Sequence, residues 1–118
     1  MKKTELAYIL DTLEIMKRPL SDETPEMVGQ IKEAEGRIGY LYFLLAAANA
    51  DLDVQTDAAA EVLKPQGLTA YVLKSKVEAM VSGYRRERDE IQGLVKALEG
   101  RQMTGGIILK YLRNLSQE

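Results

Sequence analysis

TAYVLKSKVEAMVSGYRRERDEIQGLVKALEGRQM, residues 69–103, decides how this chain is read. Ala70, Leu73, Val77, Met80 and Tyr84 fall three and four residues apart, and Ile91, Leu94 and Leu98 resume the same rhythm. That spacing puts one apolar stripe along one side of a helix. Thr69 is suited to cap its start, and Pro65 and Gly67 just before it end whatever precedes. The seam positions between the two apolar runs and after them are Glu87 and Arg101, charges where a coiled coil wants apolar side chains. A lone carboxylate buried there would cost several kcal/mol, on the order of the penalty for an unpaired buried ion. Three explanations stay open for RRERD at 85–89. The helix leaves the core there, the charges pair across an interface between copies and fix its register, or Arg85, Arg86 and Arg88 face a ligand. A solvated run of charge is the plain alternative to the last.

Outward from that stretch, two further helices can be counted. Leu6, Ile9, Leu13, Met16 and Leu20 form a first stripe, which should stop at Arg18-Pro19 because proline disfavours helical geometry in the residue before it. Thr24 and Pro25 are a favourable cap and first turn. Met27, Ile31, Ala34, Ile38, Leu41, Leu45 and Ala48 follow in a strict heptad alternation. Gly36 and Gly39 each cost about 1 kcal/mol relative to Ala inside a helix, which predicts close approach of a neighbouring helix. ADLDVQTD at 50–57 reads as a break, with Thr56 capping a short helix through Leu63. Two adjacent glycines in MTGGII, 103–108, predict a hinge or turn, and Ile108, Tyr111, Leu112 and Leu115 a short tail helix.

The 118 residues suit a single helical domain, with an acidic half at 1–63 and a basic half at 64–118 made of the long helix and its tail. The expected class is all-α: long amphipathic helices in a helical hairpin or coiled-coil-like bundle, oligomeric because the stripes exceed what a short hairpin buries. One Phe, no Trp and six Tyr leave the packing to aliphatic side chains. Residues 1–63 carry 6 Lys/Arg against 12 Asp/Glu, and residues 64–118 carry 10 against 6. Such polarity points either to a basic face for nucleic acid or to packing between oppositely charged halves, in one chain or between copies.

No Cys and no His are present, so disulfides, His-based metal sites and His-dependent nucleophilic catalysis are excluded. The absence of Cys suits a reducing cytoplasm. MKKTELAYIL opens like a leader, but Asp11 and Glu14 interrupt the apolar run and no cleavage site follows. IGYLYFLLAAANA at 38–50 falls short of the roughly 20 residues that span a bilayer. Asp51, Asp53 and Asp57 start like a calcium loop, yet the required Gly and final Glu are missing. Thr104-Gly105-Gly106 is not a phosphate loop, since no strand precedes it and no Gly-Lys-Ser/Thr follows. The expectation is a non-enzyme with no cofactor, no metal and no membrane partner. The remaining signal is a cationic track, Lys74, Lys76, Arg85, Arg86, Arg88, Lys96, Arg101 and Lys110, interleaved with Tyr71, Tyr84 and Tyr111. Single-strand binders combine such tracks with flat side chains on which bases stack. Tyr84 can equally belong to the edge of the core.

KPQGLT at 64–69, the helix KSKVEAMVSGYRRERDEIQGLVKALEGR, the spacing Leu94-x-x-x-Leu98-x-x-Arg101 and the tail Ile108-x-x-x-Leu112 together resemble the UvsY-type recombination mediators of T-even phages. The resemblance covers residues 64–115, with a weaker echo over Ile31 to Asp51. It implies a small homo-oligomer in the cytoplasm of a bacterial host that binds single-stranded DNA. It also implies a RecA-like recombinase and a single-strand-binding protein as partners, the first helped to displace the second. Lys74, Lys76, Tyr84, Arg85, Arg86, Arg88, Lys96 and Arg101 are the candidate DNA contacts. The acidic first half departs from a plain DNA binder and leaves the DNA face unassigned. The alternative function is a helical adaptor or inhibitor that binds one host or phage protein.

Overall fold

A computed structural model describes residues 2–116, and every described element is helical. Helix α1 spans Lys3–Met16, α2 Thr24–Leu63, α3 Ala70–Met80 and α4 Ser82–Ser116, with a short 3-10 turn at Lys64–Gln66. The all-α reading holds, with no strand among the described residues. The chain packs as two units. The first holds α1, α2 as far as Tyr42, and α4 from Gly93; the second holds the rest of α2 from Phe43, the turn, α3, and the start of α4 through Gln92.

The second unit is a helical hairpin. Leu52, Ala59 and Leu63 of α2 meet Val77 and Val81, with Ala60, Leu68 and Leu73 packed alongside. Its turn follows the sequence. Gly67 takes φ +63°, the left-handed conformation that residues with a Cβ resist. The Thr69 hydroxyl accepts from the Val72 N–H at 3.4 Å and caps α3.

In the first unit, all three helices bury apolar side chains, among them Ile9, Ile15, Met27, Ala34, Leu41 and Leu98. Side chains of α2 stitch the connection after α1. Gln30 accepts from the Ser21 N–H at 2.8 Å and donates to the Pro19 carbonyl at 3.0 Å. The Arg37 guanidinium sits 4.9 Å from the Tyr8 ring centroid, and the Tyr8 and Tyr40 rings meet edge to face at 4.7 Å.

Five expectations are corrected. ADLDVQTD does not break α2, which runs unbroken for 40 residues. The Thr56 hydroxyl donates back to the Leu52 carbonyl at 2.7 Å instead of capping a new helix. MTGGII makes neither a hinge nor a separate tail helix, because α4 continues through it to Ser116. Conversely, the long helix read across 69–103 breaks at Val81, whose φ of −101° and ψ of 8° leave the helical region. The break moves the buried position from Met80, 52% exposed, to Val81, 2% exposed.

In α1 the buried face is Ile9, Thr12 and Ile15, while Leu6 and Leu13 face out. The polar bond from Arg37 to the Thr12 hydroxyl, 2.8 Å, fixes that rotation over the leucine stripe. Finally, Gly36 and Gly39 meet no neighbour within 4 Å of an added Cβ. The close approach is at Gly105, where a Cβ would lie 2.6 Å from Ile31 Cδ1 and 2.7 Å from its Cγ1.

Gly105 and its neighbour make a paired test. At Gly106 nothing lies within 4 Å, so Gly106→Ala should gain the helix propensity difference, up to about 1 kcal/mol. Gly105→Ala gains the same propensity but must displace Ile31, an overpacking cost of about 1–3 kcal/mol. Urea unfolding should therefore rank Gly106→Ala above the parent and Gly105→Ala below Gly106→Ala by that steric cost.

Candidate nucleic-acid interface

Two residues explain where the candidate cations end up. Val81 closes α3 with its N–H on the Val77 carbonyl at 3.1 Å, and α4 restarts at Ser82. Ser-Gly at 82–83 is a sequence that favours such a restart, since serine is comfortable at helix starts. The apolar seam, which runs across 82–83 without interruption, does not carry that signal.

Behind the break, Ser82, Arg85, Arg86, Asp89 and Glu90 line an open cleft of about 470 Å³. Residues 85–90 carry three arginines and three acids, so the local field depends on which are occupied. The Arg88 Nε donates to Asp89 Oδ1 at 2.8 Å, and this arginine side chain is only 29% exposed. Glu87 is half-buried. Arg85 and Arg86 make no ion pair within the chain among the described residues. In the cleft, the exposed Arg86 and the half-buried Arg85 carry no ion pair, while of the two carboxylates Asp89 is held by Arg88 and Glu90 is exposed. A guanidinium stays charged at any relevant pH and presents several donors to an oxyanion.

The other candidates divide. Lys74 and Lys76 are exposed on α3 of the same unit, two positions apart and so about 200° around the helix from one another. Tyr84 leaves the arginine set: it lines an apolar groove of about 200 Å³ with Gln55, Ala58, Val62 and Met80. The neighbouring aromatic ring most open to solvent is Tyr71 on α3, 81% exposed.

Lys96 is exposed but belongs to the first unit. Arg101 belongs there too and has a structural task. Its Nη1 donates to the Arg18 carbonyl at 2.6 Å and the Met16 carbonyl at 3.3 Å, closing the C-terminal end of α1. The seam charge at 101 is thereby explained: it reaches the carbonyls that the end of a helix leaves without partners.

Compared with known proteins, the chain matches no family model, no curated protein and no solved structure. The site is therefore read from its own chemistry. No group of three or more acidic side chains among the described residues is arranged to hold a metal ion. No described helix is long and apolar enough to cross a membrane. Among the described residues, a titrating group pushed from its ordinary range lies elsewhere, in the first unit. Burial raises the Tyr8 phenol above its usual 10.0, and the nearby Arg37 charge partly offsets this. A cleft with unpaired guanidinium groups beside a hydroxyl suits binding of phosphate oxygens.

Proposed function

We propose that this chain is a non-enzymatic single-stranded-DNA-binding protein of the recombination-mediator type. In this reading it works as a homo-oligomer in the bacterial cytoplasm. It helps load a RecA-like recombinase and displace single-strand-binding protein. The observation that carries the DNA part is the pairing pattern at 85–89: Arg88 is spent on Asp89, while Arg85 and Arg86 stay unpaired beside Ser82. Lys74, Lys76 and Tyr71 on α3 extend the same unit's offer of charge and a stacking surface. A few phosphate contacts per subunit, repeated around an oligomer, supply affinity that the net charge of −2 would otherwise oppose.

A second reading, the helical adaptor for a protein partner, is favoured by the apolar groove beneath Tyr84. Val62 and Met80 line it while 66% and 52% exposed. One experiment separates the two. Arg85→Ala/Arg86→Ala should keep full helicity, weaken retention of labelled single-stranded DNA, and flatten log K against log salt. Each lost single-strand phosphate contact should reduce that slope by about 0.7. A parent protein that retains no strand at low salt would favour the adaptor instead.

A further inference from the structure

The apolar groove beneath Tyr84 lies wholly within the second unit, and its two walls are opposite in charge. On the α2 wall, Val54, Ala58 and Val62 recur every four residues and are all exposed, Val62 at 66%. Such a row runs along one side of a helix. Asp51 and Glu61 border it, each three residues from a member of the row. Residues 43–63 carry four acids and no Lys or Arg. On the returning wall, Val72, Lys76 and Met80 make a second exposed row of the same spacing, which Tyr84 extends past the break at Val81. Residues 64–80 carry three lysines and one acid. Lys76 interrupts its apolar row, and neither it nor Asp51 nor Glu61 makes an ion pair among the described residues.

We infer that a second copy of this chain closes the groove, related by a two-fold axis that lays the α2 row of each copy on the α3 row of the other. An apolar groove with one acidic and one basic wall is complementary to itself in that arrangement. Each copy brings the same patch, so the contact is isologous and closes at two copies. Lys76 in each copy then meets the acids that border the other copy's α2 row, which fixes register and rejects lysine against lysine. The apolar rows supply the attraction, as exposed apolar patches do at interfaces. The groove and the Arg85–Arg86 cleft share no lining residue, so a copy seated in the groove leaves the cleft open. The inference rests on the homo-oligomer part of the proposed reading. It assigns Lys76 to assembly and narrows the strand track on α3 to Lys74 and Tyr71.

The test reads mass without DNA, so its failure is separate from any failure of strand retention. Sedimentation equilibrium of the full chain at micromolar concentrations should show at least twice the 13.2 kDa of one copy. Lys76→Glu alone, and Asp51→Lys/Glu61→Lys alone, each set like charges across the contact and should weaken association at least tenfold with helicity unchanged. All three reversals in one chain restore opposite walls, and this variant should recover the association that either set loses. Val62→Lys/Met80→Lys should sediment as a monomer; should it lose helicity, Val62→Ser and Met80→Gln take its place, each again expected to weaken association tenfold. An oligomeric parent that none of these variants disturbs would overturn this interface and leave the homo-oligomer reading standing. A triple reversal no better than its parts would overturn the two-fold pairing. A monomeric parent would overturn both, and leave the groove to a different protein, as the adaptor reading has it.

Discussion

Leu98→Ala is expected to lower the free energy of unfolding by about 2–5 kcal/mol, the range for truncating a fully buried leucine. Leu98 is 0% exposed, as is Leu41 in the same unit. The loss combines the transfer free energy of three removed carbons with the void they leave. The void matters here because helices already closed by polar staples relax poorly into it. Whole-protein stabilities lie at about 5–15 kcal/mol, so this one change removes a large share. Leu41→Ala should cost a similar amount, and the pair together should leave the unit unfolded at room temperature. Leu10→Ala is the control: that side chain is 54% exposed, and its truncation should shift the midpoint little. Urea unfolding followed by circular dichroism gives all four values. A Leu98→Ala protein as stable as the control would mean that the first unit does not close over this residue.

Arg37→Ala should cost about 2–3 kcal/mol, from charge-assisted hydrogen bonding and a cation over an aromatic face. The salt bridge contributes least. Asp11 lies 2.6 Å away but its side chain is 62% exposed, and such pairs are worth about 0–1 kcal/mol. Thr12 matters more. It is 0% exposed, its hydroxyl donates to the Tyr8 carbonyl at 2.8 Å, and Arg37 is the donor to that same oxygen. Removing the guanidinium leaves a buried oxygen half-satisfied and strips the cation from the Tyr8 ring. Arg37→Lys should recover little, because an ammonium cannot serve Thr12, Asp11 and the ring at once. A double-mutant cycle with Thr12→Val isolates the shared bond. Zero coupling between the two sites would show that Arg37 is merely surface charge.

Periodicity found the elements that long, regular stripes define. The residues Met27 through Leu41 pack in the order expected because a heptad stripe on a long helix admits a single buried side. The Pro65-Gly67-Thr69 stop was equally legible, each residue carrying its own backbone reason. What failed was local propensity read without tertiary context. Glycines at 105 and 106 looked like a hinge, yet a helix held along its inner face tolerates them, and at Gly105 the missing Cβ is where Ile31 sits. Acids and Thr56 at 50–57 looked like a turn, but they are the outer face of a continuing helix. For α1 the stripe put Leu6 and Leu13 inside, and the rotation that turns them out is set by Arg37, a residue 25 positions from Thr12. Of the candidate contacts, Arg85 and Arg86 emerge together on one cleft. The roles of Arg88, Tyr84 and Arg101 depended on neighbours that spacing cannot reveal.

The bond from Arg101 to the carbonyls of Met16 and Arg18 joins positions 85 and 83 residues apart. During synthesis, therefore, the ribosome releases α1 long before the side chain that closes its end exists. The hairpin of residues 43–92 has its own core of Leu52, Ala59, Leu63, Val77 and Val81, and is complete while the last part of α4 is still being made. Nascent chains fold by units as they emerge, and distant contacts wait for the loop between them to close. The order of maturation is then the reverse of a simple start-to-finish scheme. The middle of the chain settles first, and its two ends meet last. Until that moment Ile9 and Ile15 of α1 and the inner face of the first part of α2 lack the α4 segment of their unit, which makes the nascent amino-terminal stretch the part of this protein that most needs a holdase.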